Sequence, residues 1–318
     1  MQEWTVANPH KDFTPIDFLY EVDKDFLCYP GQCSAYTSVG YMLLGLALSE
    51  HTAPGTATQF SFDQMSVVPQ GVKELVNFSF ANTGFPLKGP CTSAKNIVPK
   101  QYKTVYPPKG AEFILRSIDI SKTSCLNGWT CGNLAASAED IAQFFYLLLG
   151  PRLAEIALTE NAALLRSPTN RIVTPWVSTF MADFDMLTTG WAAGQIEYGY
   201  GTMMNVPGAP MLPNMSTFVP WIGHGGMDYG SMGQGYYNPS LQFGFSLAMN
   251  SDIGMNYTWN NIPVGNNMTD AYINLYAYGS ATCNTADAVL DEVSHGAVRL
   301  NCNAQMEAWK AEYLKSVL

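Results

Sequence analysis

Between about residues 171 and 250 the chain changes character: glycines and aromatics crowd together and charges become sparse. Tyr198-Gly199-Tyr200-Gly201, Trp221-Ile222-Gly223-His224 and Phe243-Gly244-Phe245-Ser246-Leu247-Ala248-Met249 read as successive strands parted by Gly, Asn and Pro turns. Helical patterns come before this block and return beyond residue 266. The order of helices, meander-like strands and helices predicts a mixed α/β (α+β) domain: an antiparallel sheet flanked by helices, rather than a doubly wound parallel one.

The helix signals are local. Thr14-Pro15-Ile16-Asp17 is a helix start, with Thr14 as acceptor for freed N–H groups, Pro15 at the first helical position and Asp17 at the positive end. Phe18, Leu19 and Val22 would form its apolar side. Cys28-Tyr29-Pro30-Gly31 is a turn. The segment from Val39 to Ser49, with Tyr41, Leu43, Leu44, Leu46 and Leu48, is apolar nearly all round and predicts a buried helix. Ser137-Ala138-Glu139-Asp140 opens a further helix through Ile141, Phe144, Phe145, Leu147 and Leu148. Helices are also predicted near 63–75, 151–165 and 304–317, and residues 51–130 otherwise read as loops and short elements.

Composition excludes several classes of function. Hydrophobic residues make up 47% and charged residues only 13%, about half the usual share, which argues against intrinsic disorder. With a formal net charge of -10 the chain has no cationic footprint for nucleic acid. No apolar run approaches the roughly 18 residues a bilayer span requires. Met1-Gln2-Glu3-Trp4 lacks the basic and apolar regions of a secretory signal. The seven cysteines suggest local pairs, Cys28 with Cys33, Cys125 with Cys131 and Cys283 with Cys302, leaving Cys91 over. None has zinc spacing. Sequons at Asn77, Asn214, Asn256 and Asn267 join them in pointing to a secreted or lumenal compartment. Phosphate-loop, dinucleotide, HExxH and EF-hand motifs are all missing, and only four histidines occur, so a multi-His metal site is not expected.

Two constellations can carry chemistry. In Pro30-Gly31-x-x-x-x-Tyr36-Thr37-Ser38-x-Gly40-Tyr41-x-Leu43-Leu44-Gly45, a turn presents a phenol and then a hydroxyl at the edge of an apolar helix. In Gly223-His224-Gly225-Gly226, an imidazole ends an aromatic strand beside glycines that admit another backbone. Between them lie Cys131-Gly132-Asn133-Leu134-Ala135-Ala136-Ser137-Ala138-Glu139-Asp140 and the Tyr198 to Gly201 block.

Taken in order, these four blocks resemble the serine β-lactamase and penicillin-binding-protein superfamily, in its class C and D-Ala-D-Ala carboxypeptidase-like branch. The resemblance runs from about residue 13 to 275. It implies a sheet flanked by helices with a mostly helical lobe. It also implies acyl transfer through a serine of an S-x-x-K helix, with no metal or cofactor. Tyr36 would take the proton-transfer role, Ser38 stands where the family usually has Asn, and His224, Gly225 and Gly226 would line the substrate pocket.

The departure is the nucleophile. No Ser has a Lys three residues on; Thr92-x-x-Lys95 has the spacing but carries Thr and follows the tyrosine motif. Only 35 residues precede Tyr36, whereas the family places S-x-x-K well upstream. The expectation is therefore a partial domain over 1–280, lacking the N-terminal strands, the nucleophile helix and an upstream signal peptide, with a disulfide-tied helical extension over 281–318. The full domain would hydrolyse or transfer an ester, amide or lactam acyl group, and this chain alone would be inactive. The alternative is a non-catalytic secreted glycoprotein whose vestigial pocket binds a peptide, ester or partner surface. An α/β-hydrolase order Ser231, Asp252, His295 fails because Tyr229 breaks G-x-S-x-G, and His295-Gly296 reads as structural.

Overall fold

The computed structural model describes residues 7–22, 27–52, 54–55, 64, 82–85, 99–105, 116–150, most of 181–205, 221–228, 231–239, 241–252, 283–297, 299–300 and 302. The expected helices at 63–75, 151–165 and 304–317, the four sequons, Cys91 and Thr92-x-x-Lys95 lie outside the described residues, Gln64 apart.

Helix α1, Pro15–Tyr20, begins where its cap demands. Thr14 Oγ1 accepts from the Asp17 N–H and the Asp17 carboxylate accepts from the Thr14 N–H, satisfying two terminal donors at once. Its Phe18 is buried with Phe13 and with Met42 of helix α2, Ser38–Thr52. Val22 lies beyond the helix and is half exposed.

Helix α2 departs from the buried helix that its composition predicts. Met42 is buried, but Leu43, Leu44 and Leu48 are 52%, 53% and 44% exposed. Its described partners are Phe13 and Phe18 at Met42, Thr130 at the Tyr41 carbonyl, and Tyr36 and Tyr198 at the Tyr41 ring and hydroxyl. An all-round apolar sequence says nothing about which faces receive a partner.

Strands β1 (Tyr102–Val105), β2 (Arg116–Asp119) and β9 (Ser251–Asp252) make a three-stranded sheet in the order β2-β1-β9. The larger sheet is an antiparallel meander in simple chain order: β3 (Asp185–Met186), β4 (Glu197–Tyr198), β5 (Met203–Asn205), β6 (Trp221–Asp228), β7 (Ser231–Asn238) and β8 (Phe243–Met249). The Tyr198 to Gly201 block is a strand end and a turn rather than a strand. Gly201 sits at φ +85°, and the Gly199 N–H donates to Thr202 O, so the chain reverses into β5.

Register sorts the two faces of the large sheet. Gly223, Tyr236 and Phe245 are cross-strand neighbours. Tyr236 and Phe245 bury with Trp221 against a helix over 283–293, α4, which supplies Cys283, Ala286 and Leu290. His295 (φ 52°) and Gly296 (φ 81°) terminate α4, as the structural reading of that dipeptide requires. Cys283 is bridged to Cys302, and Asp287 receives Arg299 in a bidentate pair together with the Leu300 N–H. These bonds tie the returning chain to the core.

The opposite face, carrying His224, Gly235, Tyr237 and Gly244, receives helix α3, Ala138–Leu149. Ser137 caps α3 by accepting from the Asp140 N–H. Asp140 is buried and accepts from the Asn82 N–H and the Thr83 hydroxyl, so this motif segment holds a loop onto the helix. Phe145 and Leu148 bury against Tyr237, about 1.5–3 kcal/mol for each side chain. Helix and sheet meet closely because a Cβ at Gly244 would fall 2.1 Å from Ala142 O.

The cysteines need one correction. Cys28–Cys33 and Cys283–Cys302 form as expected. Cys125 is disulfide-bonded, but Cys131 keeps its thiol, so these two are not a pair. A 3-10 turn over Cys125–Gly128 and Thr130 at φ 56° carry Cys131 to the Phe13, Phe18 and Met42 cluster instead.

Candidate active site

Tyr36 reaches its position through a pinned loop. Pro30 and Gly31 (φ 81°) occupy the centre of a tight turn closed by the Gln32 N–H on Tyr29 O, and the Cys28–Cys33 bridge locks it. Two residues before Tyr36, Ser34 is stitched to the segment after β3: Ser34 O accepts from the Thr188 N–H at 2.8 Å, and the Ser34 N–H donates to Thr188 Oγ1 at 2.9 Å. Tyr36 then packs on Leu187, Ile196 and Met203.

Thr37 caps α2, its hydroxyl accepting from the Val39 N–H. Ser38 is the first helical residue and is exposed. Tyr41 lies one turn further along α2, and its carbonyl accepts from Thr130 Oγ1 at 3.2 Å.

His224 projects from β6 opposite Gly235 of β7. Its ring centroid is 5.8 Å from that of Tyr36 and 5.8 Å from that of Tyr198, and the Tyr36 and Tyr198 centroids are 5.3 Å apart. Tyr41 completes the group, 6.2 Å from Tyr36. Four aromatic rings from the N-terminal segment, α2, β4 and β6 therefore form one cluster. Gly225 follows, with Tyr236 Oη 3.2 Å from where a Cβ would lie; Gly226 is exposed, with open space beside it.

Hydrogen bonds run through the group. Tyr41 Oη meets Tyr198 Oη at 2.6 Å, Tyr198 Oη meets His224 Nε2 at 3.1 Å, and His224 Nδ1 meets Gly225 O at 2.7 Å. Burial pushes the His224 pKa below its ordinary value, against the Gly225 hydrogen bond, which raises it. Burial likewise raises Tyr198, helped by Tyr41 and Tyr36, so its hydroxyl keeps its proton. The cluster is uncharged at His224 and Tyr198 near neutral pH. Among the described residues no group of three His, Cys, Asp or Glu side chains could hold a metal.

Tyr41 and Tyr198 are the residues that sequence reasoning passes over. Both lie inside quoted motif blocks, but nothing in either block shows that a helix and a strand 157 residues apart in sequence bring their hydroxyls together.

No family model matches the chain, and no curated protein matches it. Solved structures do. A D-stereospecific amidohydrolase from Streptomyces sp. superposes with a TM-score of 0.51 at 15% identity, covering 78% of this chain and 60% of that one. The fold is β-lactamase/transpeptidase-like. A D-amino acid amidase from Ochrobactrum anthropi SV3, complexed with L-phenylalanine amide, gives 0.48 at 14% identity over 76% of this chain and 57% of that one. A class C β-lactamase mutant gives 0.40 at 10%, over 87% and 68%. The chain spans about 60% of the length of the Streptomyces amidohydrolase. The α/β-hydrolase alternative is excluded by the antiparallel meander, where Ser231 opens β7 of a hairpin with β6.

Proposed function

We propose that this chain carries the substrate-binding and proton-handling side of a β-lactamase-like acyl-transfer site, and binds an ester, amide or lactam without acylating itself. Supporting it is the meeting of Tyr36 and His224 across one cleft at 5.8 Å, in a fold shared with a D-stereospecific amidohydrolase. Tyr36 is the candidate proton-transfer group, Ser38 the hydroxyl at the helix edge, and Gly225 and Gly226 the strand along which an acyl substrate would lie. Within these 318 residues no Ser is followed three residues on by Lys, so the nucleophile of an acyl-enzyme is not supplied.

The non-catalytic reading makes this same pocket a binding site in a secreted or lumenal glycoprotein. It is favoured by the missing S-x-x-K, by Ser38 in place of Asn, and by the disulfides together with the four sequons. No helix among the described residues is long and apolar enough to cross a membrane.

The test is titration of the chain with D-amino acid amides, followed by NMR. Aromatic resonances of Tyr36 and His224 are expected to shift together and to saturate. Tyr36→Ala is expected to weaken binding about tenfold or more, through lost aromatic contact and one hydrogen bond. Shifts confined to other residues would reject the site.

A further inference from the structure

We infer that Tyr198, itself held by Tyr41, is a positioning residue that occupies His224 Nε2 while Gly225 O occupies Nδ1, so that the cleft selects uncharged acyl groups over carboxylates. This rests on the proposed reading of the cleft as an acyl-binding site.

Placement of the protons starts from one fixed point. Gly225 O is a carbonyl and can only accept, so the proton of the 2.7 Å contact belongs to His224 Nδ1. Burial disfavours a second ring proton. Nε2 is then a lone-pair acceptor, and the hydroxyl at 3.1 Å that donates to it is that of Tyr198. Having directed its proton to His224, the Tyr198 oxygen accepts from the Tyr41 hydroxyl at 2.6 Å. One carbonyl fixes the direction of three bonds.

An imidazole held this way has no N–H left for a ligand. The contacts of His224 are with Tyr36, Tyr198 and Gly225, and none is a charged group. Gly225 and Gly226 add no side-chain donor. A carboxylate entering here would lose its hydration without meeting a cation among the described residues around His224, which is costly; an amide or ester carbonyl loses far less.

Two measurements on the full chain decide the matter. The first is the 15N shifts of the His224 ring at neutral pH: a protonated Nδ1 with a lone pair on Nε2 is expected. A ring protonated at Nε2 alone, or an imidazolium, overturns the inference without any variant being made. The second compares N-acetyl-D-phenylalanine amide with N-acetyl-D-phenylalanine. The wild-type chain is expected to bind the amide at least about tenfold more tightly. Tyr198→Phe frees Nε2 to take a proton and pair with a carboxylate, so the preference is expected to shrink about tenfold, an effect that a merely structural residue would not produce. Equal binding of both compounds by the wild type, or an unchanged preference in a folded Tyr198→Phe, overturns the selectivity alone. Binding of neither overturns the acyl-site reading and the selectivity with it.

Discussion

Incubated with a fluorescent penicillin or a fluorophosphonate probe, the 318-residue chain is expected to remain unlabelled. The reason is chemical. A serine acyl-enzyme needs a nucleophile with a base beside it, and these residues contain no S-x-x-K. Removing the nucleophile of a serine hydrolase costs on the order of 10⁶ in rate. The hydroxyl at the edge of the cleft, Ser38, is exposed at the first turn of α2, with no Lys three residues on. His224 cannot serve as its base while Nε2 is bonded to Tyr198. Gel fluorescence after denaturation is the readout, with intact β-lactamase as the positive control. A covalent band blocked by prior heating of the chain would reject the proposal that this polypeptide lacks acylation chemistry. Peptide mapping would then name the residue responsible.

Gly244→Ala is expected to cost about 3 kcal/mol. A Cβ at Gly244 would lie 2.1 Å from the carbonyl oxygen of Ala142, which is backbone in α3 and cannot rotate away. Relief requires α3 to lift from the sheet, exposing Phe145, Leu148 and Tyr237, which are buried at that seam. Overpacking a core commonly costs 1–3 kcal/mol, and the upper end applies when the clash is with main chain rather than a mobile side chain. Gly226→Ala is the control: nothing lies within 4 Å of its would-be Cβ, so its stability should change little. Urea denaturation of the two variants separates them. Equal midpoints would show that α3 does not seat on β8 as described.

Much of this architecture was legible from short-range chemistry. Thr14 and Ser137 cap the helices they precede, because an oxygen two or three residues from a freed N–H needs no tertiary help. The strands Trp221–Asp228 and Phe243–Met249 fall where glycines, aromatics and turns alternate. The proximity of Tyr36 and His224 was anticipated from motif order, and the rings stand 5.8 Å apart. What was not legible depended on partners distant in sequence. The segment around Leu43, Leu44 and Leu48 looked buried because composition records apolarity and not the presence of a neighbour. Cys125 and Cys131 looked paired because they are six residues apart, but a turn with positive φ at Thr130 sends the second sulfur elsewhere. The hydroxyl contact of Tyr41 with Tyr198 joins α2 to β4, and neither local pattern foreshadows it. The packing of α4 beneath Trp221, Tyr236 and Phe245 is likewise a property of the assembled sheet.

The account turns on one spatial fact: a phenol carried by the pinned loop after Cys33 and an imidazole carried by β6 face the same cleft. The most direct measurement is the nuclear Overhauser effect between the Tyr36 ring protons and the His224 ring protons in the unliganded chain. With centroids 5.8 Å apart, cross-peaks between the two rings are expected, along with cross-peaks from both to Tyr198. Cross-peaks from Tyr198 to His224 with none from Tyr36 to either would place the loop elsewhere, and the cleft with its proposed acyl site would not exist.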